Sequence, residues 1–194
     1  MAICLTAVAL VQAQESPPKT HMTIARPAEL KGARAEDIYQ AIRGALQKNY
    51  AVSGDPIVFE YRTWRRFNTV PYRSTNHGER FVNNYANQAA GKYGLFEKAG
   101  EMPEGAVVVK DSFTVSDFGQ VMTGPFFLMQ KMERGFNRAS GDWLFMMIQP
   151  DGKITGITAG LGNENVAFCA ECHQKAAAGN DGLYFMPQQV RRRN

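Results

Sequence analysis

Apolar residues fall at helical spacing early in the chain. Leu30, Ile38, Ile42, Ala45 and Leu46 recur about once per helix turn, with good helix formers between them. This predicts a helix over 35–49, preceded by Pro27 and closed by Ser53-Gly54-Asp55-Pro56. The aromatic and basic run 58–67 suits either a helix or a strand, and 69–76, centred on Pro71, reads as loop. From Arg80 the pattern is strand-like to Gln88. It then passes into a second helix carrying Tyr93, Leu95 and Phe96, which Gly100 and Pro103 end. Thereafter the chain turns to β. Residues 107–115 are β-branched and apolar around one lysine, and 125–133 is a further apolar run. Residues 143–149 and 153–158 flank Pro150-Asp151-Gly152, a hairpin signal because Asp-Gly favours the tight turns that match strand twist. A short helix is expected over 167–178. No internal repeat or low-complexity segment interrupts this order. The expected architecture is α+β, with an antiparallel β-sheet core and flanking helices.

Composition limits the alternatives. The 194 residues suffice for one domain with a sizeable core, and 44% hydrophobic with 21% charged content is that of an ordinary soluble protein. The net charge of +4 is carried largely by Arg62, Arg65, Arg66 and Arg191 to Arg193. Neither cluster is long or aromatic-interleaved enough for a nucleic-acid surface, but a mild positive field suits an acidic redox partner. Residues 1–13 are apolar and uncharged, and end in Val11-Gln12-Ala13, the small-residue pattern a signal peptidase reads. They are expected to be a secretory signal lacking its basic start, as if translation began upstream. They are too short to span a bilayer, and no other stretch is long and apolar enough. Residues 14–26 read as a loose leader, and 27–194 as a single domain.

The cysteines carry the chemistry. Cys4 falls in the signal, which leaves Cys169 and Cys172 in Cys169-Ala170-Glu171-Cys172-His173. This is C-x-x-C-H, the c-type haem attachment pattern: two thiols add to the haem vinyl groups, and the adjacent histidine reaches the iron. A redox dithiol and half a zinc site are the other uses of such a pair, but no second cysteine pair completes a zinc site. An exported protein with thiols only in this motif fits a periplasmic c-type cytochrome. Only Met186 follows the motif, on a short tether, and reads as packing rather than as a second iron ligand. His21 lies in the leader, and His77 reads as a surface or turn residue. The iron is therefore expected to be five-coordinate with one open face.

Several segments together resemble the cytochrome P460 family, whose fold is related to that of the β-sheet cytochromes c′. They are His77-Gly78-Glu79-Arg80-Phe81-Val82-Asn83-Asn84-Tyr85, 105–113, 124–132, Ser140-Gly141-Asp142-Trp143, 147–152 and 168–173. The resemblance implies a P460-type haem c bound through Cys169, Cys172 and His173, with a lysine amine cross-linked to the haem ring. Lys110 holds the matching position. A lysine inside an apolar strand is costly to bury charged, and a neutralised amine is a nucleophile, so the residue type supports the assignment. Lys131, Lys98 and Lys92 are the alternatives, and a solvent-facing Lys110 is the plain reading of the pattern alone. The resemblance also implies a distal carboxylate, Glu164, and a pocket arginine, Arg80. Phe113, Phe126 and Phe127 are expected to be core residues first. The implied activity is oxidation of hydroxylamine to nitrous oxide and/or nitric oxide in the periplasm. Electrons would pass to a soluble acceptor such as a small cytochrome c, and the enzyme would be a homodimer. A nitric oxide-binding protein of the cytochrome c′-β type, or a simple electron-transfer cytochrome c, are the alternatives.

Overall fold

The computed structural model describes residues 19–176 and 178–192. The expected signal over 1–13 lies outside them.

Among the described residues, nine strands form one antiparallel sheet: β1 (Lys19–Thr23), β2 (Arg65–Arg66), β3 (Tyr72–Ser74), β4 (Arg80–Ala86), β5 (Val107–Val115), β6 (Gln120–Thr123), β7 (Phe126–Lys131), β8 (Trp143–Ile148) and β9 (Ile154–Ile157). The helices are α1 (Gly32–Ala51), α2 (Pro56–Glu60) and α3 (Ala167–His173). The α+β architecture is as expected.

The central strand is β5. Along one edge it pairs with β4, from Phe81 opposite Phe113 to Ala86 opposite Val108. Along the other it meets β6 and β7 in series. Gly124-Pro125 separates those two strands. Ser112 of β5 faces this break, where its carbonyl accepts from Gly124 N–H at 2.8 Å and its Oγ donates to Pro125 O at 2.6 Å. Proline has no N–H to give a ladder, and a Cβ on Gly124 would lie 2.4 Å from Ser112 Oγ, so both residue types suit the kink. The hairpin between β8 and β9 turns at Asp151-Gly152. Gly152 has φ +83°, and its Cα comes so close to the end of α1 that a Cβ would meet Val52 Cβ at 2.4 Å.

Strand parity splits the core in two. Val107, Val109 and Phe113 face α1, where they pack with Tyr39, Ile42, Leu46 and Tyr50. Val108 faces the other way, with Met129, Trp143, Phe145, Leu183 and Met186. Because β5 is covered on both faces, every residue from Val107 to Phe113 is buried.

Five expectations change. Lys19–Thr23, placed in the loose leader, is a strand that pairs with β6. The 58–67 run is split between α2, a 3-10 turn and β2. Tyr72–Ser74, expected as loop, pairs with β4. The second helix is a 3-10 segment, Gly91–Lys98, broken by Phe96 at φ 54°. The C-terminal helix ends at His173 rather than at 178.

Candidate functional site

On the sheet face away from α1 lies a cavity of about 440 Å³. Its floor is Val108 and Lys110 of β5, Phe127 and Met129 of β7, and Phe145 and Met147 of β8. Its sides are α3 and the turn between β3 and β4.

Helix α3 delivers the C-x-x-C-H motif. Cys169 and Cys172 are three residues apart, so a helix sets both on one face, and both line the cavity with His173. Both thiols are free and partly buried. Burial pushes the Cys169 thiol up to about 11, which leaves it protonated at neutral pH.

His173 is 8% exposed, and its ring is flanked by Phe145 and Tyr184 at centroid distances of 5.1 and 5.5 Å. Its Nδ1–H donates to Gly182 O at 2.7 Å. That bond fixes the tautomer and leaves the Nε2 lone pair for a metal, the usual outer-shell arrangement of a metal-bound histidine. Burial, with the nearby Lys110 charge, lowers the imidazole to about 4, so it stands neutral and ready to ligate. The carbonyl partner is itself held in place. Trp143 Nε1 donates to Asp181 O at 2.8 Å, and Lys131 Nζ reaches Asp181 Oδ1 at 2.6 Å.

Two lysines are buried, and the fold separates them. Lys131 is engaged with Asp181 and with Gly141 O at 3.0 Å, and lies off the cavity wall. Lys110 is 7% exposed, lines the cavity, and makes no side-chain hydrogen bond or ion pair among the described residues. Burial lowers its amine to about 8, only partly offset by the Cys172 thiol. Lys92 and Lys98 are exposed on the Gly91–Lys98 segment, outside the cavity.

Arg80, at the start of β4, also lines the cavity, and burial lowers its pKa. Met186 is fully buried in the second core cluster, a packing residue as its short tether implied. Phe113 and Phe126 are core, whereas Phe127 stands on the cavity wall.

Glu164 is the residue expected as a distal carboxylate. It lies exposed on a 3-10 turn, Asn163–Asn165, and does not line the cavity. The turn closes locally, with Asn165 N–H on Gly162 O and Val166 N–H on Asn163 O. His77, expected as a surface or turn residue, ends the 3-10 turn Thr75–His77 and is half-buried on the cavity wall.

These residues suit a covalently held haem. The donor set is two thiols on one helical face beside a neutral, oriented imidazole. The walls are mostly apolar, and Arg80 is a cation suited to a propionate. No cluster of three or more histidine, cysteine or acidic residues able to hold a metal ion occurs among the described residues. No helix among them is long and apolar enough to cross a membrane.

Among curated proteins, none matches the chain. A family model does: that of cytochrome P460 matches residues 59–185, a span running from the end of α2 through every wall of the cavity to the residue after Tyr184. The chain therefore belongs to the cytochrome P460 family of c-type haem proteins.

Proposed function

We propose that the protein is a periplasmic oxidoreductase that converts hydroxylamine to nitrous oxide, nitric oxide or both. The observation that carries this reading is Lys110: a buried, unpartnered amine of lowered pKa on the cavity wall beside Cys172. Such an amine suits the lysine–haem bond that the family resemblance implies.

When bound, haem supplies the redox-active iron and an exchangeable ligand position. The chain's own residues do the rest. Cys169 and Cys172 would attach the cofactor, and His173, held by Gly182 O, would offer Nε2 to the metal. Lys110 would add a third covalent tether and restrict the ring's movement. The Arg80 guanidinium would neutralise a propionate or hydrogen-bond an oxygen of the substrate. Phe127, Phe145 and Met147 exclude water from the floor, which strengthens every polar contact made there. A small cytochrome c as electron acceptor and a homodimeric state belong to the same proposal.

The test is to produce the protein with a periplasmic c-type maturation system, record its ferrous spectrum, and supply hydroxylamine anaerobically with a one-electron acceptor. A Soret band far to the red of ordinary haem c, with consumption of hydroxylamine and release of nitrogen oxides, is the expected result. An ordinary haem c spectrum with no turnover would overturn it. A second reading, a nitric oxide-binding protein of the cytochrome c′-β type, draws support from one observation: no carboxylate lines the cavity among the described residues.

A further inference from the structure

The turn between β3 and β4 adds a second imidazole to the cavity. His77 ends the 3-10 segment Thr75–His77, and Gly78 at φ +71° turns the chain back into β4. The ring packs against Phe127 at a centroid distance of 4.9 Å. Its Nδ1 lies 2.8 Å from Ser74 Oγ. That contact occupies one ring nitrogen and leaves Nε2 without a protein partner among the described residues.

The charges around the ring decide which way the imidazole is polarised. Once Lys110 is bonded to haem, Arg80 is the cation left on the wall, and no carboxylate lines it among the described residues. A neutral imidazole is most stable there with its lone pair inward, toward that cation, and its N–H outward. Nδ1–H then donates to Ser74 Oγ, and Nε2 is an acceptor facing the cavity. The ring stays neutral, because burial above all pushes its pKa down to about 2.

We propose that His77 is a specificity-determining residue: its Nε2, oriented by Ser74, accepts a hydrogen bond from a small ligand bearing N–H or O–H and so favours hydroxylamine over a diatomic gas. The proposal rests on the hydroxylamine reading above and names the residue that selects the substrate. A site that provides an acceptor discriminates against a ligand with no hydrogen to give, since the buried acceptor is then left unpaired. No proton is transferred and no bond to the ring is made. His77 acts as a fixed dipole.

The test uses the mature ferric holoprotein without an electron acceptor. Dissociation constants for hydroxylamine and for nitric oxide are measured by optical titration of wild type, His77→Phe, His77→Gln and Ser74→Ala. His77→Phe is expected to weaken hydroxylamine binding about three- to tenfold, the range for one hydrogen bond, and to leave nitric oxide affinity unchanged. The amide oxygen of His77→Gln should recover part of the loss, and Ser74→Ala should lose part of the preference. Equal changes for both ligands would overturn the proposal. So would a low-spin wild-type spectrum that becomes high-spin in His77→Phe, since His77 would then be an iron ligand. If hydroxylamine binds with the predicted His77 dependence but is not oxidised, the oxidase reading fails and this one stands. If it is oxidised and His77→Phe binds it as well as wild type, only this one fails.

Discussion

Lys110 and Lys131 are the same side chain in two buried settings, and the difference between them is a partner. Lys131 is met by Asp181 and by Gly141 O. Lys110 has no comparable partner among the described residues, so burial, only partly offset by Cys172, makes the amine lose its proton more readily. Lys110→Ala is therefore expected to abolish the red-shifted ferrous band while haem remains attached through Cys169 and Cys172, as checked by haem staining of the denatured protein. Lys131→Met is expected to keep that band but to lower stability by about 1–3 kcal/mol in urea titration, because Asp181 loses its ion pair and keeps the Met102 N–H at 2.8 Å. A pH effect follows from the lowered pKa. The free-amine fraction of Lys110 rises about tenfold per pH unit below its pKa of about 8 and levels off above it. The rate at which the cross-linked spectrum develops after haem attachment should follow the same curve, and a flat profile from pH 6 to 9 would exclude the free amine as the reacting form. Lys110 was legible in the sequence because a lysine within Val-Val-Val-Lys-Asp-Ser-Phe stands out. Lys131's engagement was not, because its partner lies 50 residues away. His77 was misread for a related reason: its polar neighbours look like surface loop, and only the fold of the β3–β4 turn places the ring against Phe127.

In β5 the residue after Lys110 points to the opposite face and has the opposite character. Asp111 is fully buried under α1, where its carboxylate accepts from Tyr39 Oη at 2.7 Å, Asn83 Nδ2 at 2.9 Å and Tyr61 Oη at 3.1 Å. Burial raises its pKa, and those three donors oppose the rise. The polar cluster also sets register. A one-residue slip of β5 would carry Asp111 onto the cavity wall and Lys110 into the apolar packing beneath α1. Asp111→Ala should cost about 3 kcal/mol or more, since it leaves several buried donors unpaired, and should reduce the yield of cross-linked protein; urea titration and the ferrous spectrum report the two effects separately. Strand legibility follows covering. β5 and the β8–β9 hairpin were readable as a β-branched run and as an Asp-Gly turn. Lys19–Thr23 and Gln120–Thr123 are short and partly polar; the second is a strand because it pairs with the end of β5, and the first because it pairs with the second. The Gly91–Lys98 segment reads as helix by its apolar spacing, but a backbone kink at Phe96 prevents a regular one.

Across the whole molecule, the cavity is assembled from distant parts of the chain: the β3–β4 turn, three central strands, α3 and Tyr184. The fold class and the haem motif were visible without a structure because each is local, as a run of strand patterns or as five adjacent residues. The composition of the cavity wall was not, since it depends on which strand faces point away from α1. That arrangement has a consequence for the unfolded chain. Lys110 and Cys169 are about 60 residues apart in sequence, and a haem bonded to both would join them into a covalent ring that survives denaturation. By the chain-entropy estimate for loops of that size, closing the ring removes about 4 kcal/mol of conformational freedom from the denatured ensemble. The lysine bond would then act as a redox-inert counterpart of a disulfide, in a chain whose only cysteines outside the expected signal are committed to haem. Lys110→Ala holoprotein should accordingly melt on the order of 10 °C below wild type in calorimetry, while its haem-free form should melt close to the haem-free wild type.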